Sequence, residues 1–140
     1  MVTLPSPPRS TCPINFGLEI FGDQWSLLIL RDMLIQGKQT FRAFQASDEG
    51  IASNILTERL KRLEACGLIT RAPSPDDGRV LLYTPTEAAR DLIPVLVEMS
   101  YWGATHDADT GAPPGFRAAY ETNRDGLIAA IRTGMDPSRS

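Results

Sequence analysis

Residues 50–83 read GIASNILTERLKRLEACGLITRAPSPDDGRVLLY, and this stretch decides the fold. On a helix over about 53–65, Leu56, Leu60 and Leu63 share one face. Asn54, Glu58, Lys61 and Ala65 share the opposite face, with Thr57 on the border. Gly67 stands where a left-handed C-terminal cap belongs. Beyond it, 68–71 and 80–83 are rich in β-forming residues, and the Pro-Ser-Pro-Asp-Asp-Gly run between them closes on a good turn at Asp77-Gly78. A helix with a polar outer face, a glycine stop and a two-stranded loop predicts a winged helix-turn-helix. That shape sets one helix into the DNA major groove and a β-wing on the flanking backbone.

The flanking sequence supplies the other helices. Pro13 suits a first helical turn, and Ile14, Leu18 and Phe21 recur at helical spacing, predicting a helix over 13–21. Asp23 caps the next, whose run from Trp25 to Leu34 is apolar nearly all round and belongs at a domain centre. Thr40 caps a short third helix carrying Phe41 and Phe44, and Ser47-Asp48-Glu49-Gly50 is the turn. After the wing, Thr86 opens a long helix that Pro94 kinks or splits. Phe116, Tyr120, Leu127 and Ile131 mark a last amphipathic helix to about 133. The fold class is mainly α with a small β-wing, with N- and C-terminal helices that pack against a second subunit. The expected division is a disordered arm at 1–11, a winged helix-turn-helix domain at 12–106, a dimerisation helix at 107–133 and a disordered tail at 134–140.

Composition narrows the function classes. The 140 residues are 42% hydrophobic and 22% charged, which fits one globular domain with a real core. No apolar run approaches the roughly 18 residues of a membrane span, and the first ten residues have no apolar secretion core, so a cytoplasmic protein without a membrane partner is expected. The net charge of −3 counts against nucleic-acid binding, but it is uneven. Residues 31–79 balance at +1, whereas 80–140 stand at −3. Nonspecific affinity should be modest, which throws weight onto specific contacts and dimerisation. Two cysteines, Cys12 and Cys66, make neither a disulfide framework nor a metal pair, and the one histidine, His106, lacks partners for catalysis. The chain holds no nucleophile elbow, phosphate loop or zinc-protease motif, so neither an enzyme nor a cofactor is expected.

The chain resembles the HxlR-type regulators, a branch of the MarR-like winged-helix transcription factors, over roughly 12–103. The matching pieces are Cys12-Pro13, GDQWSLLILRD at 22–32, Phe41, the 50–69 segment, and DLIPVL through Tyr101, Trp102 and Gly103. The resemblance implies a symmetric dimer on a palindromic DNA operator. It also implies that a cysteine at the position of Cys12 serves some members as a redox or electrophile sensor. Gln24 stands where members commonly place a lysine, Ala52 where many place a serine cap, and Ala89 where a glycine is usual.

Within this frame, Asn54 and Lys61 suit base-edge contacts to adenine and guanine, and Glu58 can accept from cytosine N4. Thr57 suits a thymine methyl or a phosphate. Ser53, Thr40 and Arg42 suit the backbone, which sets register without reading sequence. Arg79, beside the wing turn, suits a narrow minor groove or an ion pair with Asp76 or Asp77, and Arg71 suits the wing's base. Cys12 precedes a helix N-terminus that favours a thiolate, and its alternatives are a reactive sensor or a thiol that packs. Cys66, at a helix C-terminus, reads as packing. Trp25, Phe41, Phe44, Tyr101 and Trp102 read as core or dimer packing, with a small-molecule crevice as the alternative. The expected function is a repressor with a redox, electrophile or small-molecule effector. The rival class is a winged-helix protein-interaction module.

Overall fold

The computed structural model describes residues 1–134. Helix α1 (Pro13–Phe21) starts on the proline, whose missing N–H costs nothing in a first turn. Helix α2 (Ser26–Leu34) begins under Asp23. The Asp23 Oδ2 accepts from the N–H groups of Trp25 and Ser26, both at 3.0 Å, and Oδ1 accepts from the Ser26 hydroxyl at 2.6 Å. Helix α3 (Phe41–Gln45) is capped by Thr40, whose Oγ1 accepts from the Ala43 N–H at 3.2 Å. Helix α4 (Ser53–Cys66) ends at Gly67 with φ +88°, a conformation open to glycine at no steric cost. The N–H groups of Gly67 and Leu68 then bond back to the carbonyls of Glu64 and Leu63, closing the helix end.

Strands β1 (Ile69–Pro73) and β2 (Leu81–Pro85) pair antiparallel, with Thr70 opposite Thr84 and Pro73 opposite Leu81. Both begin a residue later than the sequence pattern places them. Leu68 is engaged in the end of α4, and the Val80 N–H closes the wing turn on the Asp77 carbonyl at 2.9 Å. The Tyr83 N–H donates to the Gln39 carbonyl at 2.8 Å, so the segment before α3 runs along β2.

The long helix expected after Thr86 is two: α5 (Glu87–Arg90) and α6 (Ile93–His106). Pro94 lies in the first turn of α6, where it fits, so the break precedes the proline. Helix α7 (Phe116–Gly134) contains a break that the pattern did not predict, at Asn123 (φ −157°, ψ 79°). Its Oδ1 accepts from the Gly126 N–H at 2.9 Å and caps the second segment in mid-helix.

The chain divides into two compact units, Met1–Arg90 and the part from Asp91 onward. Helix α6 thus groups with α7, whereas the expected boundary lay at 106. In the first unit Ile29, Leu30, Met33, Leu34, Phe44, Leu56, Leu60, Leu63, Leu68 and Ile69 are buried, and Phe44 meets Tyr83 edge-on at 6.0 Å. The near-continuous apolar face of α2 therefore has walls on several sides, as its sequence requires. In the second, the Tyr101 and Tyr120 rings stack at 3.8 Å. Their hydroxyls donate to Glu121 at 2.7 Å and to Glu98 at 2.8 Å. Residues 1–12 carry no helix or strand, yet the segment is tethered. Thr3 N–H donates to the Cys66 carbonyl at 3.1 Å, and Arg9 pairs with Glu19 at 2.6 Å. Of the expected tail at 134–140, only Gly134 lies within the described residues, and it ends α7.

Candidate nucleic-acid interface

Helix α4 carries the candidate site. Burial of Leu56, Leu60 and Leu63 fixes its rotation about its own axis, and Ser53, Asn54, Thr57, Glu58 and Lys61 are exposed as a result. The cap residue Ala52 makes no side-chain bond, so the first N–H groups of α4 keep their donors for an anion. Thr57 donates its hydroxyl proton to the Ser53 carbonyl at 2.9 Å and is exposed. Its remaining chemistry is acceptance or a methyl contact.

Two arginines, one in an ion pair and one bonded to a backbone carbonyl, set where α4 lies. Arg59, at the rim of the apolar face, donates from Nε to Asp23 Oδ2 at 2.9 Å and contacts the Glu58 carboxylate through Nη1. Arg62 donates from Nη2 to the Glu19 carbonyl at 2.8 Å, fastening α4 to the end of α1. Burial pushes the Asp23 carboxyl up, but the Ser26 hydroxyl, Arg59 and two backbone N–H groups reverse this and bring its pKa to about 2.

The turn between α3 and α4 is held from α2. Asp32 is 3% exposed, accepts from the Arg31 guanidinium at 2.8 and 3.0 Å and from the Ser47 hydroxyl at 2.5 Å. Arg31 also grips Glu49 with two bonds of 2.8 and 2.9 Å, and Lys38 reaches the Ser47 hydroxyl at 2.6 Å. The Arg31 guanidinium holds the Glu49 carboxyl at a pKa of about 2. The cap at Asp23 is legible in the sequence, but its pairing with Arg59 and this cluster are not. The one available signal was a charged residue, Arg59, beside Leu56 and Leu63 on the wheel.

The remaining candidates are spread around α4. Thr40 spends an oxygen lone pair on its cap, and Arg42 is exposed on α3. Arg79 is 92% exposed at the wing tip and pairs with Asp77 at 3.2 Å, one of the two partners weighed for it. Arg71 bridges from β1 to Glu64 on α4 at 3.3 Å, bracing the wing's base. Cys12 is exposed at the start of α1, whereas Cys66 is buried and its thiol is pushed up by that burial. The N-terminal segment lies beside the C-terminal half of α4, where Thr3, Leu4 and Pro5 face Glu58, Lys61 and Ala65 across a cleft. No cluster able to hold a metal ion occurs among the described residues.

A capped helix-turn-helix followed by a two-stranded wing, with a polar helix face turned outward, defines a winged helix-turn-helix module. Residues 20–110 match the HxlR-like helix-turn-helix family, and the chain belongs to that family. It is 31% identical over 100 residues to the HTH-type transcriptional regulator YybR of Bacillus subtilis, covering 71% of this chain and 79% of YybR. A relative in Mycobacterium tuberculosis strain H37Rv, also an HTH-type transcriptional regulator, is 36% identical over 101 residues, 72% of this chain but only 63% of that longer protein. Among solved structures, the redox regulator HypR in its oxidized form superimposes with a TM-score of 0.61 at 31% identity, over 68% of this chain and 97% of HypR. The reduced form of the transcriptional regulator YodB from B. subtilis gives 0.56 at 26% identity, over 72% of this chain and 99% of YodB. The protein is a transcriptional regulator of the helix-turn-helix class, not an enzyme. No helix among the described residues is long and apolar enough to cross a membrane.

Proposed function

We propose that the protein acts in the cytoplasm as a homodimeric repressor on a palindromic double-stranded DNA operator. The observation that carries this reading is the outer face of α4, where Asn54, Thr57, Glu58 and Lys61 are exposed above a fully buried leucine face. Asn54 and Lys61 read adenine and guanine edges and Glu58 a cytosine, while Ser53, Thr40 and Arg42 take phosphates and Arg79 takes the flank. Two such helices serve half-sites about 34–36 Å apart. Exposed apolar side chains on α1 (Ile14, Phe16, Leu18) and on α6 (Met99, Trp102) support the dimer, since water-facing groups of this size are the usual material of subunit contacts.

The effector in this reading is an oxidant or electrophile acting at exposed Cys12, with a small molecule as the alternative. Likeness to HypR and YodB, one named a redox regulator and the other solved after diamide treatment, supports the first. A small rotation at the dimer contact changes the spacing of both α4 helices and releases the operator.

The test is a salt-graded gel shift on the DNA upstream of the protein's own gene. Specific retardation that outlasts competitor DNA is expected, together with a footprint of two-fold symmetry. Binding to no duplex at any salt would instead favour a winged helix that docks on a protein partner.

A further inference from the structure

We infer that the cleft between the N-terminal segment and α4 is a binding site for a small monoanion with a flat apolar body, of the aryl carboxylate class. Leu4 and Pro5 form one wall and the C-terminal half of α4 the other, around a space of about 420 Å³. Small-molecule sites typically measure roughly 300–1,000 Å³. Lys61 and Ala65 stand one turn apart on the same side of α4, and the small Ala65 side chain leaves room that a larger one would take. The segment is fastened at both ends. Thr3 donates its N–H to the Cys66 carbonyl at 3.1 Å and its hydroxyl to the Ala65 carbonyl at 3.4 Å, while Arg9 pairs with Glu19 on α1. The Thr3 bonds also occupy two carbonyls at the negative end of the helix dipole, which would otherwise repel an anion.

Charge selects the ligand. Lys61 and Arg62 are positive and Glu58 is negative, so the lining residues carry a net +1. Arg62 donates to the carbonyls of Glu19 and Ile20, which are neutral and leave its charge in place. Glu58 is counted in full, because its contact Arg59 is already paired with Asp23. One carboxylate matches this balance, with its head at exposed Lys61 and its apolar body between Leu4, Pro5 and Ala65. A ligand seated there takes up Lys61 and competes with a duplex for the outer face of α4. That consequence rests on the reading that this face meets DNA, whereas the binding itself does not.

The test is an NMR titration of the full chain with 2-naphthoate, and with neutral 2-naphthamide as its control, in the absence of DNA. Saturable amide shifts at Leu4, Lys61 and Ala65 are expected, with the carboxylate about fivefold tighter than the amide, the upper end for an exposed ion pair. Lys61→Gln should remove that preference. Ala65→Phe, which fills the cleft from an exposed position, should abolish binding of both compounds. Should Ala65→Phe displace the segment, Leu4→Ser on the opposite wall should weaken both alike. Shifts confined to other residues, a titration that does not saturate, or equal affinity for carboxylate and amide overturn the inference. Saturating 2-naphthoate should also weaken duplex binding about fivefold, the lower end for losing one base-edge contact, and 2-naphthamide at the same concentration should not. Unchanged duplex binding alongside a filled cleft overturns the competition. A wild-type protein that binds no duplex overturns the DNA reading, and the titration still decides the site.

Discussion

Replacing Asp23 with alanine removes four contacts at once: the N–H groups of Trp25 and Ser26, the Ser26 hydroxyl and the Arg59 Nε. Loss of the helix cap costs about 0.5–2 kcal/mol. The Ser26 side chain is fully buried, so its hydroxyl loses its acceptor without gaining water, and Arg59 loses a carboxylate. Each orphaned group costs about 1–3 kcal/mol, and because the groups share one acceptor the costs overlap. The net expectation is about 3 kcal/mol. With a urea slope of about 2 kcal/mol per molar, the midpoint falls by about 1.5 M at neutral pH with the slope unchanged.

The same carboxylate gives the loss a pH signature. Its folded pKa is depressed from 3.8 to about 2, so its stabilisation is complete above the unfolded value. It is lost as pH falls through 4 toward 2. The gap between wild type and Asp23→Ala should therefore be constant above about pH 5 and narrow by about 0.5–1 kcal/mol by pH 3, allowing for solvent screening. Urea titrations of both proteins at pH 7, 5, 4 and 3 read this directly. A gap below about 0.5 kcal/mol at pH 7, or one that does not narrow on acidification, would refute the assignment of Asp23 as the keystone between α2 and α4.

Lys61→Ala should weaken operator binding by about 1–3 kcal/mol and relax the preference at one base pair per half-site. Measured by anisotropy, an equal loss on scrambled DNA would move Lys61 to the phosphates. Under native conditions iodoacetamide should label exposed Cys12 well before buried Cys66, whose thiol is raised by burial. Mass spectrometry that finds Cys66 labelled first would contradict the packing around α4. Cys12→Ser should abolish any diamide effect on operator affinity while sparing reduced-state binding, and an undiminished response in that variant would place the sensor elsewhere. Truncation before Ala112 removes α7 and the ring that Tyr120 stacks on Tyr101. The product should sediment as monomer or aggregate, and a truncated protein that remains a dimer and binds its operator normally would place the interface elsewhere.

Rules of short range made much of this fold legible. Pro13 at a first turn, Thr40 as a cap, the leucine face of α4 and Gly67 beyond it each act within about four residues, and each stands where the pattern puts it. The same logic, carried further, would have found the break in α7. Asn123 precedes Gly126 by three positions, the spacing of a cap, but it was hidden inside an amphipathic run long enough to look continuous. Pro94 does belong to a broken helix, yet its preference for the first turn moves the break ahead of it. What stayed illegible depends on partners far apart in the chain. Arg59 finds Asp23 across 36 positions and Arg31 finds Glu49 across 18, and no periodicity in one sequence pairs such charges. For the outer face of α4 the sequence names which side chains point outward, while the contact that Arg59 makes beside it depends on Asp23, ahead of α2.

That distinction bears on how a signal at Cys12 would reach DNA. On the proposed redox reading, a bond or adduct at Cys12 acts at the first turn of α1, and α1 is a single nine-residue helix that moves as a body. Its far end carries the Glu19 carbonyl, which accepts from Arg62 on α4 at 2.8 Å, and the Glu19 carboxylate, which holds Arg9 ahead of the cysteine at 2.6 Å. A tilt of α1 must therefore either carry α4 with it or break the Arg62 bond. Breaking it leaves a guanidinium without its carbonyl and costs about 1.5–3 kcal/mol, as expected for a hydrogen bond from a charged donor. The helix that would read the operator is thus fastened through arginines to α1 and to the start of α2, above a leucine face that is itself buried, and a displacement at α1 has to work against these holds.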